Sequence, residues 1–248
     1  MSSLGRKADP STVRNVVLLH GASDPMYDEP VLAEPELKGE EFLAHYDSRL
    51  YQFCKRSFDI VLASFALLLL FPLFAVVTLM IVKEDGWPVL YKQERMGQAG
   101  RRFWMIKFRS MRRDAEEILH RDPVLLAEYK KNFKLKNDPR LLKCGKLLRA
   151  ATIDELPQLL NVLLGDMSIV GPRPLLAREA DRYGIACEIY ECMKPGCAGL
   201  WQAGGRSELT FDERVMLDVR YYVTASFMRD LWVIWRTGIA VLQRKGAV

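Results

Sequence analysis

The feature that most constrains this chain is a run of 23 residues without a charge, Ile60 to Val82. As one helix it reaches roughly 35 Å, and the hydrocarbon core of a bilayer is about 30 Å thick. Few soluble helices are apolar on every face for so long, so the run predicts a membrane segment. Pro72 divides it into pieces of 12 and 10 residues. Proline removes a backbone hydrogen bond and kinks a helix. Lys55 and Arg56 precede the run, and Lys83, Lys92 and Arg95 follow it, which gives no inside–outside charge bias. A straight span and a broken helix that enters and leaves on one face are equally open on this ground.

Charge divides the chain at about the same place. Residues 1–48 carry 4 Lys+Arg against 9 Asp+Glu, and residues 49–248 carry 32 against 22. The acidic, proline-punctuated lead segment is set apart from a basic bulk whose expected partners are anionic: phosphates, nucleic acid or lipid headgroups. Val13 to Leu19 reads as one strand. His20-Gly21 suggests the oxyanion side of an α/β-hydrolase, but no G-x-S-x-G elbow accompanies it, which argues against that class. No secretory signal pattern opens the chain. The five cysteines have neither zinc-finger nor C-x-x-C spacing and read as reduced thiols.

Residues 92–113 interleave Lys92, Arg95, Arg101, Arg102, Lys107, Arg109, Arg112 and Arg113 with Phe103, Trp104, Ile106 and Phe108. Directly after a membrane segment, this pattern favours headgroup or phosphate contact over a merely solvated face. Short helices are expected over 114–120 and 123–134. Leu156, Leu159, Leu160, Leu163 and Leu164 form an i, i+3, i+4 stripe ending at Gly165. Ile169-Val170 is extended, and 231–242, with Trp232, Trp235 and flanking arginines, has the composition of an interfacial helix.

P-loop, G-x-G-x-x-G, HExxH and D-x-D patterns are absent, and His20, His45 and His120 are scattered. The chemistry concentrates at Thr152-Ile153-Asp154-Glu155-Leu156-Pro157-Gln158. Thr152 and Glu155 fit a capping box, Asp154 fits an N-cap, and Pro157 fits a first turn. A helix start also attracts phosphate and favours an ionised carboxylate. Lys146 and Arg149 lie upstream, and Arg173 stands between two prolines downstream. Together these residues suit chemistry on a diphosphate, with a divalent cation to screen carboxylate attack on phosphorus.

The motifs Lys55-Arg56-x-x-Asp59, Gln93-Glu94-Arg95-x-Gly97, Lys107-Phe108-Arg109-Ser110-Met111, Asn137-Asp138-Pro139-Arg140, Asp154-Glu155-Leu156-Pro157-Gln158, Gly165-Asp166-Met167-Ser168-x-Val170-Gly171-Pro172-Arg173-Pro174, and Gly199-Leu200-Trp201-Gln202 with Gly205-Arg206 occur in order. In this the chain resembles the bacterial sugar transferase family, the monotopic polyprenyl-phosphate phosphoglycosyl transferases, from about residue 50 to the C-terminus. The resemblance implies transfer of a sugar 1-phosphate from a UDP-sugar, a UDP-hexose for this variant, to undecaprenyl phosphate. UMP is released, as the first membrane step of exopolysaccharide or O-antigen assembly. It implies Asp154 as nucleophile and Mg²⁺ ligand, with Glu155 as second carboxylate. Lys107, Arg109, Arg149, Gln158, Arg173 and Arg206 become substrate- or phosphate-binding positions.

It also implies an α+β, mostly helical fold: a reentrant segment over about 58–83, broken at Pro72, and interfacial helices around a small catalytic core. That core, 49–248, would lie on the cytoplasmic face of the inner membrane. The expected partners are UDP-sugar, undecaprenyl phosphate and membrane lipid, with a homodimer admissible and no nucleic acid. Two departures stand out. Phe71 occupies the place of a common serine before the break proline, and Gly196-Cys197-Ala198-Gly199 replaces the usual Gly-Leu-Thr-Gly or Gly-Ile-Thr-Gly in an expected substrate loop. The competing class is a membrane-anchored lipid- or nucleic-acid-binding module in which Asp154 and Glu155 only cap a helix.

Overall fold

The computed structural model describes residues 7–20, 45–132, 135, 137–204 and 209–242. The first element, α1 (Pro10–His20), is a helix where a strand was expected. Proline stands at its first position, and the Asp9 carboxylate accepts the Ser11 N–H at 2.8 Å, the chemistry of a helix start. Val13 and Val16 share one face and are fully buried. The burial of that face outweighs the strand propensity of a valine-rich run.

Helix α2 (Arg49–Asp85) contains the whole apolar run and is continuous across Pro72. Pro72 therefore sits inside one uninterrupted helix, where a proline bends the axis without ending the helix. Proline leaves the Leu68 carbonyl without its helical donor, yet the flanking turns hold the spiral. Ser48 caps its start and Gly86, at φ 70°, ends it. Its middle is unlike a soluble core helix: Phe65, Leu68, Leu69 and Phe71 are each more than 60% exposed. Only 11% of its most apolar window is buried. Water does not stabilise such a surface, whereas a bilayer does.

Both ends of α2, by contrast, are bound to the rest of the chain. Strands β1 (Leu90–Met96) and β2 (Arg102–Phe108) form an antiparallel hairpin, in which Tyr91 faces Lys107 and Arg95 faces Phe103. Helices α3 (Ala115–Arg121), α4 (Pro123–Asn132) and α5 (Lys143–Ala150) follow, then a 3₁₀ turn (Ile153–Glu155) and α6 (Gln158–Leu164). Strand β3 (Ser168–Val170) pairs in parallel with β4 (Gly196–Ala198). Between them lie α7 (Ala177–Tyr183) and α8 (Ala186–Cys192). After β4 come α9 (Leu200–Gly204), α10 (Phe211–Thr224) and α11 (Phe227–Leu242).

At its N-terminal end, α2 places the buried Asp59 carboxylate on the Ser168 hydroxyl (2.7 Å) and the Ile169 N–H (3.0 Å). The Lys55 ammonium meets Asp230 of α11 at 2.9 Å, and Arg56 donates to the Val162 and Leu163 carbonyls. At the C-terminal end, Val77 and Ile81 pack with Val89, Phe108, Leu142, Cys144 and Leu148. There Glu84 also accepts the first N–H groups of α5, from Lys143 and Cys144.

The leucine stripe is followed in part: Leu159 and Leu163 pack against the core. The buried positions of α6 are Gln158, Asn161 and Val162, and Leu164 is 71% exposed. Asn161 explains this. Its side chain accepts the Ile106 N–H and donates to the Trp104 carbonyl, so it seals the free edge of β2. Such a hydrogen-bonded polar group determines which face turns inward. The departing residues, Cys197 and Ala198, fall on β4 rather than on a loop. A Cβ on Gly196 would lie 2.1 Å from the Gly171 nitrogen, so only glycine admits this strand pairing.

Candidate active site

Asp154 and Glu155 sit on the 3₁₀ turn between α5 and α6 and not on a helix cap. Thr152 adopts left-handed backbone, φ 59° and ψ 18°, and its side chain caps nothing. Helix α6 begins only at Gln158. The expected capping box and Asp154 cap are thus not formed, because left-handed Thr152 directs the chain away from cap geometry. A β-branched residue in that conformation is strained, and such strain is typically held at functional turns.

Asp154 is 9% exposed. Burial, with the neighbouring Glu155 charge, raises its carboxyl to about 6 against the opposing pull of Lys107 and Arg149. The expected helix-end effect, which would favour the ionised form, is overridden by desolvation. No ion pair to Asp154 forms among the described residues. Glu155 is the opposite case. Burial raises it, but the Lys107 ammonium at 2.6 Å, with Arg173 and Arg95 beyond, more than offsets this and holds it below the usual carboxylate range. Two adjacent acids thus differ: one is ion-paired, and the other is buried without an ion pair.

The cations form two groups. Lys107 and Arg149 stand on the Asp154 side, with the Arg149 Nε donating to the Ser110 hydroxyl at 2.9 Å. On the other side Arg173 lies 5.6 Å from the Trp201 ring centroid and Arg214 lies 5.0 Å from it. Arg95, 6% exposed, donates to the Pro174 carbonyl and to Gln93, while its Nε has no partner. Burial and then Arg173 lower the basicity of both Arg95 and Arg214. Like charges brought this close form a site shaped for an anion. The sequence placed Arg95 only within a basic stretch expected to meet phosphate or headgroups, and gave no sign of Arg214. The signal for Arg95 was alternation along β1, which puts it on the same face as Tyr91 and Gln93.

Arg109 departs from expectation. Its guanidinium ion-pairs with Asp85 and donates to the Pro88 and Gly86 carbonyls. All three nitrogens are engaged at the end of α2, so Arg109 acts as a clamp there. Gln158 is buried in the first turn of α6, four residues past Asp154. Arg206 lies outside the described residues. No group of three or more His, Cys, Asp or Glu side chains that could hold a metal occurs among the described residues. Mg²⁺, however, is commonly held by one or two carboxylates plus substrate phosphates. The Asp154–Glu155 pair fits an ion shared with a ligand and does not form a closed protein cage.

The structure thus sets a long, exposed apolar helix beside a carboxylate pair flanked by arginine and lysine. The chain belongs to the bacterial sugar transferase family, whose sequence profile matches residues 50–244. It is 42% identical over 209 residues to a UDP-galactose-lipid carrier transferase of Erwinia amylovora, covering 83% of this chain and 43% of that protein. It is 41% identical over 203 residues to an undecaprenyl-phosphate galactose phosphotransferase of Salmonella typhimurium, covering 80% and 42%. The chain thus spans less than half the length of these curated relatives. Against the exopolysaccharide production protein ExoY of Rhizobium meliloti it is 40% identical, and the match covers 78% of this chain and 87% of that one.

Proposed function

We propose that this protein transfers a sugar 1-phosphate from a UDP-sugar, a UDP-hexose, to undecaprenyl phosphate and releases UMP, in exopolysaccharide or O-antigen assembly. The observation that carries the reading is Asp154: a buried carboxylate with no ion-pair partner among the described residues, beside two cations, on a strained turn. Its oxygen attacks the phosphorus that bears the sugar. The bond from that phosphorus to the bridging oxygen breaks, and UMP leaves with the electron pair. A phosphate oxygen of the acceptor then attacks the same phosphorus and the Asp154 carboxylate is released. Arg95, Arg173 and Arg214 hold diphosphate charge, and Lys107 and Arg149 steady the reacting phosphoryl group. Mg²⁺ bound by Asp154 and Glu155 together with the diphosphate would screen the repulsion between carboxylate and phosphate. The test is a panel of UDP-sugars with purified protein and no acceptor. One donor should give UMP and an adduct one phosphosugar heavier on Asp154 by mass spectrometry. UMP release by Asp154→Asn would refute the covalent route.

The same reading places the catalytic body on the cytoplasmic face of the inner membrane, on a reentrant α2. Two contacts support this. Residues before the apolar run pack on elements that follow it: the Ala8 N–H donates to the Tyr222 hydroxyl of α10, and Thr12 reaches Glu188 of α8. Both ends of α2 also join the same body, which a straight crossing would separate by a bilayer. The outward face of α11, with Met228 72% and Trp235 61% exposed, suits the interface. A cysteine at Ser11, in a chain otherwise free of cysteine, should resist an impermeant thiol reagent in intact cells. Labelling there would show a true span.

A further inference from the structure

Three large apolar side chains stand exposed just beyond the end of α2: Trp87 at 67%, Leu90 at 38% and Tyr91 at 50%. Their backbone is fixed. The Trp87 carbonyl accepts from Arg113 and the Pro88 carbonyl from Arg109, while the Val89 side chain between them is buried and its carbonyl accepts the Arg109 N–H. The segment is thus held with its apolar side chains outward, at a cost in hydration that a soluble surface has no reason to bear. It also leads to the chemistry. Tyr91 is directly opposite Lys107 in the hairpin. Paired residues of an antiparallel ladder share a face, with Cβ atoms about 5 Å apart. The Lys107 ammonium is the one on Glu155. One cross-strand pair therefore connects the end of the membrane helix to the carboxylate pair. Lys83, Lys92 and Arg113 are exposed around this path. The Arg173 side is different in kind: Trp201 and Arg95 there are both more than 90% buried.

We propose that Trp87 and Tyr91 dock the isoprenoid chain of the lipid acceptor, so that its phosphate reaches Asp154 from the Lys107 side while the nucleotide end of the donor occupies the Arg95–Arg173–Arg214 side. The ligand is a long isoprenyl monophosphate: an apolar tail for the aromatic rim and a dianionic head for Lys107. This rests on the transfer reaction proposed above and assigns its second substrate a place that the motifs do not.

The test uses the full chain in vesicles with a double substitution, Trp87→Ser with Tyr91→Ser. The KM for a long polyprenyl phosphate should rise about tenfold, with the KM for the UDP-sugar within twofold of wild type. The effect should shrink with a short-chain isoprenyl phosphate, which has less tail to lose. A photoreactive isoprenyl monophosphate, read by peptide mass spectrometry without turnover, should label residues 87–92. That arm tests docking even if wild type transfers no sugar, an outcome that would refute the reaction and not the site. An equal rise in both KM values would make the rim a donor surface. Loss of vesicle binding with an unchanged acceptor KM would make it a bilayer anchor only. Either result, or labelling confined to the Trp201 side, overturns the proposal. Tyr91→Phe, which keeps the ring, should restore the acceptor KM and guards against a folding defect.

Discussion

Replacing Asp154 with asparagine should inactivate the protein and make it more stable. The carboxyl has an ordinary value of 3.8 and is raised to about 6 in the folded chain. Each unit is worth 1.36 kcal/mol, so keeping the charge in the folded state costs about 3 kcal/mol at pH 7. The sign follows from the raised value. The folded state holds the proton more tightly than the unfolded chain, so wild type gains stability as pH falls through about 6 and the penalty is gone near pH 4. Asparagine has the same shape without the charge. Asp154→Asn should therefore exceed wild type by up to about 3 kcal/mol at pH 7, roughly 5–10 °C in melting temperature for a body of this size. The gain should fade between about pH 6 and pH 4. Thermal unfolding in detergent across that range, beside UMP release, measures both effects. A variant less stable than wild type at pH 7 would refute the argument, because the charge would then be held by Lys107 and Arg149 more strongly than burial opposes it.

The same ionisation should set the acid limb of the reaction. In the absence of acceptor, single-turnover UMP release should fall about tenfold per pH unit below pH 6. Glu155→Gln should move that limb to lower pH, since it removes a charge that raises Asp154; an unmoved limb would show that Asp154 is not the titrating group. Arg109→Met breaks a largely buried ion pair and should cost about 3 kcal/mol of stability, with the UDP-sugar KM of the surviving fraction unchanged. A large KM effect without loss of stability would return Arg109 to the binding site. Chelation with EDTA should abolish transfer but leave the melting temperature where it was, because no protein-only metal cage exists among the described residues; a drop in melting temperature would reveal a structural ion.

The long apolar helix, the carboxylate pair and the placing of Arg149 and Arg173 near it were legible because each depends on local composition. An uncharged run, an Asp-Glu pair before a proline and an arginine between prolines carry their chemistry in the chain itself. What sequence did not disclose depended on partners far along the chain. Val13 to Leu19 has a strand's composition, and only the packing of Val13 and Val16 against the body makes it helical. In the leucine stripe of α6 only Leu159 and Leu163 lean on the core, while the adjoining face, with Asn161 bonded twice to β2, is the most buried. Arg109 and Lys107, two residues apart on one basic stretch, looked alike. Alternation on a strand would keep them on one face, but the ladder ends at Phe108 and Arg109 turns back to Asp85. The Asp154 carboxyl was expected to be kept charged by a helix start, and desolvation by residues distant in sequence reverses that.

The contacts of α2 make the anchor part of the site and more than a tether to it. Its last turn supplies Glu84, which accepts the first N–H groups of α5, and α5 carries Arg149 in its final turn. The next residue, Asp85, holds Arg109, two positions past Lys107 on the same polypeptide. The segments that carry both cations beside Asp154 are therefore tied to the C-terminal end of α2. Its N-terminal end positions β3 through Asp59, and β3 leads directly into the turn that presents Arg173. A helix that served only to hold a soluble enzyme near lipid would need none of these bonds. Their presence at both ends explains why polar motifs flank the apolar run so closely, with Lys55 and Asp59 before it and Glu84 and Asp85 after it. The turn that carries Asp154 is thus tied to both ends of α2, and under the transfer reaction proposed above a change in the tilt of α2 would shift Lys107, Arg149 and Arg173 relative to that turn.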